Sequence, residues 1–197
     1  MMVRNVLLTG VGGQGIITAS TVLAQACRLA GWQVKKSEVH GMSQRGGSVN
    51  SYVRFSADEQ IASPLIPEGE AEMMLAFEPL EGLRQIRQAT PDAVVLVEER
   101  RIVPVTVNMP GVTYPDDVIE RLVASGRRVT VVPASATAVE LGESRAANMV
   151  MLGALATQIE LADEIWSEAA ALVLKPRALE VNLRAFEAGR QLVPAGV

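Results

Sequence analysis

Hydrophobic and polar positions follow two periods along the chain, and the switches between them outline its elements. Arg4–Thr9 holds the consecutive apolar residues Val6, Leu7 and Leu8 and stops at Gly10, the pattern of a short buried strand. Across Gln14–Ala30 the apolar positions are Ile16, Ala19, Val22, Leu23, Ala26, Cys27 and Ala30. That spacing of three and four makes one face of a helix, with Gly31 as its stop. Gln33–Val39 reads as a second strand. The third segment breaks simple alternation. Gly41–Gly47 has glycine at 41, 46 and 47 and is too short and too broken for a crossover helix. Ser48–Phe55 then sets Val49, Ser51, Val53 and Phe55 on one face of a strand.

Gln60–Pro67 is expected to be extended, because proline disfavours helix at the residue before it. Ala71–Phe77 is an apolar strand, and Pro79 suits the first turn of a helix running to about Ala89. Ala93–Val97 is a buried strand and Ile102–Val107 is extended and irregular. Pro115–Ala124 reads as a helix ended by Gly126, and Arg128–Val132 as a strand. The remainder is helical: Ala134–Leu141, Arg145–Glu160, Asp163–Leu174 and Pro176–Gln191, before a short tail, Val193–Val197. There is no internal repeat. The pattern predicts an α/β class: a single Rossmann-like, open, largely parallel sheet with helices on both faces and a helical C-terminal part. At 197 residues the length suits one domain.

Composition narrows the chemistry. One cysteine and one histidine cannot build a four-thiolate cluster or a structural zinc site, and they leave no disulfide framework. That usage fits a reducing, cytoplasmic setting. Hydrophobic residues make up 49%, charged residues only 20%, and mean hydropathy is +0.23. No apolar run approaches the ~18 residues of a membrane helix, and Met149–Ala156 is among the longest. The apolar excess predicts surface covered by a partner chain. Net charge is −4 and the basic residues are dispersed, so neither nucleic acid nor membrane is an expected partner.

The N-terminal strand and helix are joined by Gly10-Val11-Gly12-Gly13-Gln14-Gly15, with Gly10, Gly12 and Gly15 in G-x-G-x-x-G spacing. Such a loop allows a tight turn, backbone approach to a phosphate and close helix–strand packing. Free N–H groups at the helix N-terminus favour an anion. Three readings stand together: a packing or interface turn, a phosphate site, or a dinucleotide site with Glu38 on a ribose.

The second unusual segment is His40-Gly41-Met42-Ser43-Gln44-Arg45-Gly46-Gly47-Ser48. It offers the only histidine, the guanidinium of Arg45 and a Gly46-Gly47 pair able to form an anion nest. If the strand before it is parallel to the first, both loops meet at the carboxyl edge, where open α/β sheets bind ligands. His40 is either an ordinary loop histidine or a general base, with no acidic orienter identifiable from the sequence. Arg45 is either a loop anchor or a contact to phosphate or carboxylate. Cys27 lies about 18 Å along the helix from Gly15, on the apolar face, and is expected to be an inert thiol.

Together these residues resemble a known family. Gly10–Ile16 and Ser37–Ser48 are similar to the gamma subunit or domain of 2-oxoacid:ferredoxin oxidoreductases. Ser63–Gly69, Phe77–Glu81 and Glu180-Val181-Asn182 with Phe186 and Gly189 bring it nearest to the small (beta) subunit of the indolepyruvate branch. In pyruvate-type members a Tyr-Gly-Pro-Glu run precedes Arg-Gly-Gly, where this chain has His-Gly-Met-Ser-Gln. The resemblance implies one gamma-type domain over residues 1–197, acting in a complex and inactive alone. It implies oxidative decarboxylation of an arylpyruvate to an acyl-CoA with ferredoxin reduction. Thiamine diphosphate, magnesium and 4Fe-4S clusters are expected on a large (alpha) subunit, with coenzyme A as co-substrate and ferredoxin as a partner of the complex. No cofactor is expected to be held firmly here, and no residue is assigned a catalytic role. Gly10, Gly12, Gly13, Gln14, Gly15, His40, Gln44, Arg45, Gly46, Gly47 and Ser48 are the expected binding or interface residues. The alternatives are a stand-alone nicotinamide or flavin reductase and a purely structural assembly subunit.

Overall fold

A computed structural model describes residues 2–41, 47–102 and 113–194. Strands β1 (Arg4–Val11), β2 (Gln33–His40), β3 (Ser48–Ser56), β4 (Ala71–Ala76), β5 (Ala89–Glu98) and β6 (Arg128–Val132) form one sheet in the order β2-β3-β1-β4-β5-β6. β1, β4, β5 and β6 are parallel, while β3 runs antiparallel to both β1 and β2. β2 therefore points the same way as β1, and the hairpin joining β2 to β3 lies at the carboxyl end of β1. The break in alternation at Gly41–Gly47 is this hairpin.

Helices α1 (Ile16–Leu29), α4 (Ala134–Glu140), α5 (Ala147–Ala156), α6 (Asp163–Val173) and α7 (Pro176–Leu192) belong to one face of the sheet. They share a core with Val6 and Leu8 of β1, Val53 and Phe55 of β3, and Leu75 and Leu96. Helices α2 (Pro79–Gln85) and α3 (Val118–Ala124) cover the other face, against Ala76 and Val97. Cys27 is wholly buried, and burial pushes its thiol up to about 12, which makes it inert.

The run around Met149–Ala156 has an explanation that does not need a partner. It forms α5, in which every residue from Asn148 to Ala156 is buried, between the sheet and α7. A helix apolar all round belongs at the centre of a domain, so the fold absorbs part of the apolar excess itself. Where α5 crosses α7 the backbones touch. A Cβ at Gly153 would lie 1.9 Å from the Phe186 carbonyl oxygen, and one at Gly189 the same distance from that of Val150.

Two boundaries depart from the sequence pattern. α2 ends at Gln85, a 3-10 turn covers Ile86–Gln88, and β5 begins at Ala89. The register shifts between the Ala71–Ala89 and Met73–Val94 pairs, and this irregularity accommodates the exposed Pro91 and Asp92. At the other end, Ile102–Val107 lies outside the described residues beyond Ile102.

Beyond β4, Glu78 is wholly buried and caps α2 through the Glu81 N–H at 3.0 Å. Its other oxygen accepts from the Tyr114 hydroxyl at 2.6 Å and the Ile102 N–H at 3.3 Å. Burial pushes this carboxyl above its ordinary range, against the pull of those donors. Tyr114→Phe removes one donor from a buried carboxylate and is expected to cost about 1–2 kcal/mol. The check is a lower denaturant midpoint with an unchanged slope.

Candidate functional site

The site grows from the carboxyl edge of the sheet. β1 delivers Val11 to that edge, and the chain turns through Gly12–Gly15 before α1 begins. Gly13 and Gly15 have φ of +104° and +78°, in the left-handed region that favours glycine. Gln14 folds back under the loop: its Oε1 accepts from the Val11 N–H at 2.6 Å, and its Nε2 donates to the Phe77 carbonyl. Gly10 leaves room for that brace, since a Cβ there would lie 2.6 Å from Gln14 Oε1. Gln14 is thus a tie between β1 and β4, and Gly10 is a packing glycine.

The hairpin base meets this loop directly. The Gly12 N–H donates to the Gly47 carbonyl at 2.9 Å, and the Gly41 N–H donates to that of Ser48 at 2.9 Å. His40, Gly47 and Ser48 are therefore brought to the glycine loop, as the sequence suggested. Gln44, Arg45 and Gly46 lie outside the described residues. Between loop and hairpin is a small cavity of about 180 Å³ lined by Gly12, Gly13, Gly15, Ile16, Ile17, His40 and Val49.

Glu38 is not where a dinucleotide reading needs it. β3 separates β2 from β1, and the Glu38 carboxylate is held by Lys36 Nζ at 2.8 Å. The hydrogen bond from Lys36 is the main force holding that carboxyl below its ordinary range. Glu38 also supplies what the sequence could not, an acidic neighbour 3.5 Å from His40 Nε2.

The larger feature lies on the other side of the glycine loop. The helix after β1 packs on one face of the sheet and the helix after β4 on the other, so the edge between these strands is a topological switch point. A cleft of about 630 Å³ opens there, lined by Gly13, Gly15 and Thr18, by Glu98 at the end of β5 and Arg100 beyond it, and by the starts of α5 and α7. Three helix N-termini, of α1, α5 and α7, face it. α1 and α7 have no side-chain cap and no acidic residue in the first turn, whereas the 3-10 turn Ser144–Ala146 that leads into α5 is capped by the Glu143 carboxylate, which accepts from the Arg145 N–H at 3.2 Å. The free N–H groups of α1 and α7 make the cleft attractive to anions.

Charge points the same way. Arg100, Lys175 and Arg177 line the cleft, are exposed, and have no ion-pair partner among the described residues. Arg145 is instead bound to Glu143 at 2.8 Å and holds that carboxyl down to about 2. Asn148, only 6% exposed, donates from Nδ2 to the Gly15 carbonyl at 3.2 Å, while its Oδ1 has no partner. A Cβ at Gly15 would lie 2.6 Å from that amide nitrogen.

Arg100, Asn148, Lys175 and Arg177 were missed in the sequence because they come from three distant segments. One signal was available. Lys175 and Arg177 flank the proline that opens α7, at the positive end of a helix dipole, where cations are unfavourable unless an anion joins them.

Comparison with known proteins gives this chain a family. The model of the family described as "Pyruvate ferredoxin/flavodoxin oxidoreductase" matches residues 5–192. The "Indolepyruvate oxidoreductase subunit IorB" of Thermococcus kodakarensis is 40% identical over 190 residues, covering 94% of this chain and 93% of that one. Its counterpart in Archaeoglobus fulgidus is 37% identical, covering 94% and 92%. Among solved structures, the gamma subunit of a keto/oxoacid ferredoxin oxidoreductase from Geobacter sulfurreducens superposes with a TM-score of 0.72 at 24% identity, covering 95% of this chain and 96% of that one. A 2-oxoglutarate:ferredoxin oxidoreductase from Magnetococcus marinus, with 2-oxoglutarate, coenzyme A and succinyl-CoA bound, gives 0.74 at 23% identity, covering 98% of this chain and 31% of the longer one. The open, largely parallel α/β sheet is the fold of these gamma subunits. The chain belongs to the pyruvate ferredoxin/flavodoxin oxidoreductase family, among relatives that are IorB subunits of indolepyruvate oxidoreductases.

Proposed function

We propose that this chain is the non-cluster-bearing subunit of a cytoplasmic indolepyruvate, or more broadly arylpyruvate, ferredoxin oxidoreductase. Residues 1–197 act as a single gamma-type domain, and the switch-point cleft binds the phosphate-bearing end of coenzyme A. The observation that carries the cleft assignment is the convergence of two uncapped helix N-termini, of α1 and α7, with three cations that have no ion-pair partner among the described residues. Such a constellation suits a polyanion. The coenzyme A in the Magnetococcus marinus enzyme is that protein's own ligand and is consistent with this reading.

The redox groups do not fit here. One buried cysteine cannot ligate a cluster, and among the described residues no three His, Cys, Asp or Glu side chains are grouped to hold a metal. The 4Fe-4S clusters are therefore assigned to a large alpha subunit, from which ferredoxin takes its electrons, and the family resemblance assigns thiamine diphosphate and magnesium to the same subunit. No helix among the described residues is long and apolar enough to cross a membrane. The hairpin base and glycine loop, with the exposed Ile17 and Val39 nearby, form the face assigned to the alpha subunit.

Copurification tests the assembly. A tagged copy of this chain is expected to recover a large, iron-bearing subunit, and arylpyruvate-dependent ferredoxin reduction is expected only with both chains present. Full activity of the large subunit alone would overturn the assignment.

A further inference from the structure

The cleft and the small cavity are neighbours across the glycine loop, for Gly13 and Gly15 line both. Beside Gly13 the space is open: a Cβ there would meet nothing within 4 Å. A long ligand anchored by its anionic end in the cleft can therefore cross the loop into the cavity. That cavity is walled by Ile16, Ile17 and Val49, and its one titratable wall is His40.

His40 sits in a base–orienter arrangement. Nε2 is 3.5 Å from Glu38 Oε2, and Glu38 Oε1 is 2.8 Å from Lys36 Nζ. Lys36 is in turn fixed to α1 through Thr21 Oγ1 at 2.7 Å and Ser20 Oγ at 3.4 Å. Lys36, Glu38 and His40 lie on one side of β2, and the residue opposite His40 on β3 is the uncharged Val49. With Glu38 at Nε2, the other ring nitrogen, Nδ1, has no partner among the described residues. An imidazole with an acid at one nitrogen and an open second nitrogen is the arrangement of a general base.

We propose that His40, oriented by Glu38, takes the proton from the thiol of the acyl acceptor. The inference rests on the reading of the cleft as the acyl-acceptor site. In this step the S–H bond breaks, the proton passes to Nδ1, and the electron pair stays on sulfur. The thiolate then forms the S–C bond of the thioester as the bond from the acyl carbon to its carrier on the partner subunit breaks and leaves its electron pair on that carrier, and the half-exposed ring returns its proton to water. The balance is complete: a 2-oxo acid anion, a thiol and two oxidised ferredoxins give a thioester, carbon dioxide, two reduced ferredoxins and one proton. That proton is the thiol's. A thiol of ordinary pKa, about 8.5, is only about 3% ionised at pH 7, which is why a base at this position matters.

The test uses the whole complex carrying His40→Gln, with Glu38→Gln as a second variant. At pH 7 and saturating coenzyme A, His40→Gln is expected to lower kcat about thirtyfold, the thiolate shortfall at that pH. The deficit should shrink as pH rises towards 9, because solution then supplies thiolate. The KM for coenzyme A and cluster reduction by arylpyruvate without coenzyme A should be unchanged. Glu38→Gln should show a smaller loss with the same pH trend. Wild-type kcat at pH 7, an equally deep loss at pH 9, or an effect confined to KM would each overturn the role. If Lys175 and Arg177 variants raise the KM while His40→Gln is silent, only the proton step fails. If those variants leave the KM unchanged, the cleft reading itself fails.

Discussion

Replacing Lys175 and Arg177 together with alanine is expected to raise the KM for coenzyme A about a hundredfold or more, with little change in kcat at saturation. Each cation contributes charge-assisted hydrogen bonds to phosphate, worth about 1.5–3 kcal/mol apiece. Losing two such contacts removes about 3 kcal/mol or more, and every 1.4 kcal/mol is tenfold. The loss falls on KM because both side chains are distant from the reacting thiol and hold ground state and transition state alike. Both are exposed in the free subunit, so the wild-type KM should also rise with salt and the variant's much less. Steady-state kinetics of the complex at two ionic strengths would settle it. An unchanged KM would remove coenzyme A from this cleft.

The second large effect is structural. Gly153→Ala and Gly189→Ala are each expected to destabilise the chain by about 3 kcal/mol or more, the upper part of the range for overpacked cores. The reason is local. Each new methyl would stand 1.9 Å from a backbone carbonyl oxygen of the opposite helix, where no rotamer change can relieve the clash. α5 and α7 would have to separate, and α5 is the buried centre of the domain. For a chain of this size the loss corresponds to a fall in Tm of roughly 6–12 °C. The cleft should suffer too, because it is walled by the starts of both helices. A thermal melt that leaves Tm within a degree or two of wild type would contradict the close crossing.

Much of this architecture was legible in the sequence because it is local. β6 begins and ends where the apolar run does, at Arg128 and Val132, and Pro176 opens α7 as a first-turn proline should. The meeting of the two glycine-rich loops was also legible, since only the direction of β2 had to be supplied. The limits of β5 were not. Its first residues contain Pro91 and Asp92, which read as a break, and the sheet admits them only through a shift in register. The close crossing at Gly153 and Gly189 was equally invisible, because each glycine looks ordinary until the opposite backbone is known. The cleft was hardest to see. Its cations without an ion pair among the described residues are at 100, 175 and 177, and they become neighbours only because β5 and α7 end and begin at the same sheet edge. Gln14 shows the converse: its place in the glycine loop marked it as a binding or interface residue, and the structure adds that its side chain ties Val11 to Phe77.

On the proposed function, the single cysteine and histidine mark a division of labour, with redox chemistry on a partner and acyl-acceptor binding here. Calorimetric titration of coenzyme A into the reconstituted complex, in parallel with nicotinamide dinucleotides, addresses that division most directly. The expected result is one coenzyme A site per copy of this chain, lost when the chain is omitted and weakened by Lys175→Ala with Arg177→Ala, with no saturable dinucleotide binding. Equal coenzyme A affinity in the large subunit alone, or tight dinucleotide binding by this chain, would contradict it.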